Sequence, residues 1–93
     1  MNGAVGVVVN VEAVIRDWSA RHASSPYARL DFQRDVVPAL KAACDAYLAC
    51  HGDRECMQLR YDARMSLSVG RRTSPQETAR IADECWRELQ LTR

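Results

Sequence analysis

The break at His51-Gly52-Asp53 constrains this chain more than any other feature, because it separates two runs whose apolar residues both recur at helical spacing. Before it stand Val37, Leu40, Cys44, Tyr47 and Leu48; after it stand Cys56, Leu59, Ala63 and Leu67. Two amphipathic helices on either side of so short a break fold back on one another. Gly52 suits the left-handed conformation that closes a helix, and Asp53 offers a carboxylate to the unpaired N–H groups at the start of the next. The stretch from Asp35 to Val69 is therefore expected to be a central antiparallel helical hairpin.

Ninety-three residues make one domain. A domain of that size buries only about 60 to 65% of the surface its unfolded chain exposes, so one core must serve every helix. The 47% hydrophobic and 27% charged fractions suit a soluble globular protein, and a net charge of +1 argues against a surface built to seek nucleic acid or membrane. Arginine outnumbers lysine twelve to one, with Lys41 the exception, and alanine is abundant; a GC-rich bacterial genome writes that bias.

Residues 1–9 read as a flexible or extended N-terminal tail, and residues 10–93 as a single helical bundle domain. The tail holds no basic residue and its apolar run stops at Asn10, so it matches neither a secretory signal nor a spanning helix. A cytoplasmic location with no membrane partner is the expectation.

In chain order, Asn10 stands where an N-cap belongs, and Val11, Val14, Ile15 and Trp18 share one helical face, which predicts a helix from Val11 to His22. Ser25-Pro26 then ends the pattern. Tyr27, Leu30, Val37, Leu40, Cys44 and Leu48 would line one face of a helix from Pro26 to Cys50, but Pro38 interrupts it. An interior proline costs roughly 3 kcal/mol unless the helix adjusts. Either the helix bends near Arg34 to Pro38, which returns Phe32 to the core, or Asp35 caps a second helix carrying Pro38 in its first turn. The bend is preferred. Phe32 otherwise stands as an exposed aromatic contact.

The following helix, Arg54 to Val69, carries two stripes: Cys56, Leu59, Ala63 and Leu67 on one face, and Met57, Tyr61 and Met65 on another. A central helix touching neighbours on two sides would bury both. Otherwise Met57, Tyr61 and Met65, flanked by Arg54, Arg60 and Arg64, form an apolar strip for a partner, since Met and aromatic side chains are enriched at such surfaces. Gly70 is placed to end this helix. Ser74-Pro75-Gln76-Glu77 has the pattern of a capping box, and Thr78, Ile81, Ala82, Cys85, Trp86 and Leu89 give the last helix, about 75–91, a broad apolar face. The fold class is all-α: a compact bundle of four to five helices.

Four cysteines allow three pairings. Cys44 and Cys85 fall on apolar faces, while Cys50 and Cys56 flank the turn and are the pair closest to bridging. Reduced, structural thiols are expected in a cytosolic chain. Cys50, His51 and Cys56 lack zinc-ligand spacing and a fourth ligand, so no metal and no cofactor is expected. His22 and His51 lie near helix ends without an orienting partner, the carboxylates alternate with arginine, and the four glycines are scattered. An enzyme is not expected.

Two classes remain. The preferred one is a small protein-binding module, a bacterial or phage-encoded inhibitor or immunity-type protein that occupies another protein's surface or self-associates as a homodimer. Its candidate contacts are Phe32, Met57, Tyr61, Met65, Arg60 and Arg64. The alternative is a nucleic-acid-binding or regulatory helical protein using Arg54, Arg60, Arg64, Arg71 and Arg72, a stretch where five arginines face only Glu55 and Asp62. Neither glycine turn aligns with a helix-turn-helix motif, which puts that alternative second.

Overall fold

A computed structural model describes residues 9–67 and 73–91. Four α-helices form an all-α bundle: α1 (Val11–Arg21), α2 (Val37–Cys50), α3 (Arg54–Ser66) and α4 (Pro75–Leu91). Each start follows from a local signal. Asn10 accepts the Ala13 N–H at 3.0 Å, and Asp53 accepts the Cys56 N–H at 3.1 Å. At α4, Ser74 Oγ accepts the Glu77 N–H while the Glu77 carboxylate accepts the Ser74 N–H, both at 3.1 Å, which is the reciprocal capping box.

The hairpin is present, and its turn uses two left-handed residues rather than one. His51 at φ 52° closes α2 and Gly52 at φ 82° follows it. The imidazole of His51 is exposed. α3 ends at Ser66, with the Leu67 N–H bonded back to Arg64 and Met65, three residues before the expected end. The expected roles of Val69, Gly70, Arg71 and Arg72 lie outside the described residues, as do residues 1–8 of the tail.

Between α1 and α2 the chain departs from the expected helix. Residues 26–30 form turns, and the helix starts only at Phe32, because Asp31 caps it through the Arg34 N–H and Asp35 returns a bond to the Asp31 N–H. Phe32–Val36 is one π-helical turn leading straight into α2, the Val37 N–H reaching back five residues to Phe32. The wider turn lies directly before Pro38, where a regular α-ladder would meet the missing donor and the ring clash. Proline thus sits in the first turn of α2. Asp35 is not that helix's cap, and Phe32 is half-buried against the core, edge-on to His22 at 5.1 Å.

α2 is the hub: it packs against α1, α3 and α4. Ala39, Ala42, Ala43 and Ala46 are buried with Leu40, Cys44 and Tyr47, so small side chains let neighbours approach nearly all round it. Leu48, expected inside, is the exposed member of its stripe. The central helix is therefore α2; α3 meets α2 and α4 with its inward face and leaves its outward face uncovered.

α4 lies across the hub. The Trp86 indole N–H donates to the Ala43 carbonyl at 2.9 Å, and the Tyr61 hydroxyl donates to the Thr78 carbonyl at 2.7 Å. Ile81, Ala82, Cys85 and Trp86 are buried and Leu89 is half-buried, as the periodicity requires. The Trp18 indole N–H and the Arg21 guanidinium both bond Glu88, joining α1 to α4.

Candidate protein-binding face

The two stripes of α3 have opposite fates: they are not both buried, and the exposed one is not the expected partner strip. Met57, Tyr61 and Met65 are 0, 1 and 5% exposed and belong to the core, where Tyr61 meets the Trp86 ring edge-on at 5.7 Å. They are not an exposed partner strip. Leu59 and Leu67 instead stand 69 and 79% exposed, with exposed Ala63 between them and exposed Cys56 one turn before. At 3.6 residues per turn the Leu59-Ala63-Leu67 ridge points roughly 160° away from the buried strip. α3 is thus apolar on both its inward and its outward face.

The arginines explain how α3 is rotated. Arg54 is paired with Asp83 of α4. Arg60 and Arg64 reach Asp45 of α2 at 3.2 and 3.5 Å. Arg60 and Arg64 border the Met57-Tyr61-Met65 face on its α2 side, and Arg54 reaches α4 from the first turn. Arg60 and Arg64 keep about half their side-chain surface exposed and form one border of the outer ridge. Glu55 and Asp62 lie on its other border, Asp62 accepting a 3.0 Å bond from Gln58. A leucine ridge with an alanine notch, basic on one edge and acidic on the other, results.

Of the residues singled out from sequence, the structure brings Arg60 and Arg64 to this face. Phe32 lies elsewhere, on a shallow groove of about 650 Å³ between α1 and the start of α2, with Ile15, Arg16, Val37 and Lys41 among its lining. The nucleic-acid set is divided, since Arg54 faces α4 while Arg60 and Arg64 face α2, each opposite a carboxylate. Sequence reasoning placed Leu59, Ala63 and Leu67 inside. Their spacing alone does not distinguish inward from outward; Asp45 and Asp83, as partners for the flanking arginines, hold the missing information.

The thiols also depart from expectation in one pair. Cys50 and Cys56 are joined by a disulfide across the hairpin turn, with their Cα atoms 5.7 Å apart. They are not reduced, because α2 ends and α3 begins so close together that the two side chains meet. Cys44 and Cys85 are free and buried. A hydrogen bond between these two thiols draws the Cys44 pKa below the ordinary thiol value; the same bond, then burial, pushes that of Cys85 up.

The histidines have structural positions. His22 Nε2–H donates to the Leu30 carbonyl at 2.9 Å, and His51 is exposed in the turn. Tyr27 stacks near Trp18 and donates its hydroxyl to Glu84 at 3.2 Å. Burial first, and then the charge and hydrogen bond of Glu84, push its phenol up to about 12. No helix among the described residues is long and apolar enough to cross a membrane. Comparison with models of known protein families, with curated proteins and with solved structures finds no match for the chain.

Proposed function

We propose that this chain is a non-enzymatic protein-binding module that acts by covering part of a partner protein, as inhibitors and immunity-type proteins do, and that the outer ridge of α3 makes the contact. One observation carries the reading: Leu59 and Leu67 are 69 and 79% exposed on the face opposite the core, two turns apart with Ala63 between them. Covering two such leucines is favourable by about 2 to 4 kcal/mol. That is enough to anchor a small interface and too little to hold one without polar help.

The shape favours a helix as the occupant. Residues 59, 63 and 67 make one i, i+4, i+8 ridge, and ridges of this kind pack into the grooves of a second helix, with a small central residue admitting the partner's larger side chain. Arg60 and Arg64 on one border, and Glu55 and Asp62 on the other, would select a partner helix whose flanking charges run the opposite way.

The test is a double substitution, Leu59→Asp with Leu67→Asp, in a chain used as bait beside the wild type. Both positions are exposed, so the thermal midpoint should shift little, and a protein retained by the wild type should be lost. Retention of the same protein by the variant would overturn the reading. So would steeply salt-dependent retention of DNA or RNA by the wild type, which would move the function to the arginines. A concentration-dependent dimer abolished by the same substitutions would make the occupant a second copy of this chain.

A further inference from the structure

We propose that Cys44 and Cys85 are a second redox site, at which the oxidised protein closes a disulfide that ties α4 to α2. The two are the free thiols of the described residues, both are buried in the same core cluster, and they belong to different helices, α2 and α4, that pack on one another. The register that aligns them is fixed next door. Trp86, the neighbour of Cys85, bonds the carbonyl of Ala43, the neighbour of Cys44. A disulfide requires Cα atoms about 4.4 to 6.8 Å apart, closer than most helix contacts allow. Here the contact is lined with small residues, Ala43 and Ala46 on α2 and Ala82 on α4 all being buried, and α2 and α4 are among the most extensively packed pairs of helices.

The chemistry balances with a disulfide oxidant such as oxidised glutathione. The Cys44 thiol loses its proton and its sulfur attacks the oxidant, breaking the oxidant's S–S bond and releasing one glutathione thiolate; attack by Cys85 first gives the same product. The Cys85 thiol then loses its proton, attacks the mixed disulfide at Cys44 and releases the second glutathione. Two protein thiols have lost two electrons and two protons, and one disulfide has become two thiols. Because both sulfurs are shielded in the folded bundle, the exchange takes place before α4 docks or while it is displaced.

The Cys50–Cys56 bridge already ties α2 to α3. With the second closed, α2 becomes the common strut of two cross-links and the fold is suited to an oxidising compartment. In a reducing one, the same two sulfurs remain a packed pair of small apolar side chains.

The test uses the full chain with Cys50→Ser and Cys56→Ser, which leaves only the pair in question. The reduced, unfolded variant is refolded in a buffer of oxidised and reduced glutathione, then denatured and treated with iodoacetamide before intact-mass measurement. The expected result is that labelled cysteines fall from two to none, with a mass two daltons below the dithiol and no glutathione adduct. Two labels, or one label with one glutathione, on protein whose circular dichroism is that of a folded helical bundle would overturn the proposal. Should the variant not fold, the wild type is used: no labels, with a proteolytic peptide pair joined through Cys44 and Cys85, supports the second bridge, and two labels or any other pairing overturns it.

Discussion

At the scale of single residues, Tyr27 shows how burial and one acidic neighbour act together. Its ring is held near Trp18, its hydroxyl donates to Glu84, and its phenol is pushed up to about 12. The unfolded chain releases the same proton near the ordinary value of 10. Between those two values the unfolded state binds fewer protons than the native one, so stability is complete below pH 10 and falls as pH rises toward 12. Tyr27→Phe keeps the ring and removes the proton. The difference between wild type and variant in absorbance near 295 nm should therefore titrate close to 12, and the wild type should lose stability across that window more steeply than the variant. A difference titration centred near 10 would show that the phenol is not held as described. Other residue-scale features were legible without the fold. Asn10 and Asp53 cap because a short polar side chain bonds N–H groups two or three residues ahead, an interaction that depends on nothing distant.

Elements were legible where their signals are local and illegible where a neighbour decides. The start of α4 is the clearest case, because Ser74, Pro75 and Glu77 make a closed set of interactions within one turn. Ser74→Ala should lower stability by about 1 kcal/mol, read as a lower urea midpoint with an unchanged slope, and Ser74→Asp should restore most of it. No change for Ser74→Ala would mean that packing alone holds the end of the helix. The helical stretch that leads into α2 starts later than its proline signals, for a related reason. Pro26 signals a helix start, but Asp31 and Asp35 make the stronger closed set, so residues 26–30 turn and the helix begins at Phe32. The rotation of α3 is of the other kind. Its two apolar stripes satisfy the same periodicity, and which faces inward follows from partners on neighbouring helices, Thr78 and Trp86 for Tyr61 with Asp45 and Asp83 for the arginines. The candidate binding ridge is hidden in the sequence for that reason, although each of its residues lies on an apolar stripe.

For the whole molecule, α2 is the organising helix, and its role was masked because alanine carries little weight in a hydrophobic pattern. Ala39, Ala42, Ala43 and Ala46 are nonetheless what allow α1, α3 and α4 to share it. The ion pairs that join the elements, including Arg21 with Glu88 and Arg29 with Glu77, have arginines that remain more than half exposed. Such pairs are worth roughly 0 to 1 kcal/mol each and fix rotation and register more than they add stability. The Cys50–Cys56 bridge acts differently, because it restricts the unfolded chain rather than adding a contact to the folded one. Closing a loop with a sequence separation of 6 is worth about 2 kcal/mol by the chain-entropy relation. Cys50→Ser combined with Cys56→Ser should therefore lower the unfolding free energy by that amount in urea titrations under non-reducing conditions. The gap between variant and wild type should vanish when a reductant is added to both. A gap that persists in reductant would assign the loss to altered packing at the half-buried end of the hairpin, where Cys50 is covered and Cys56 is exposed, instead of to the covalent constraint.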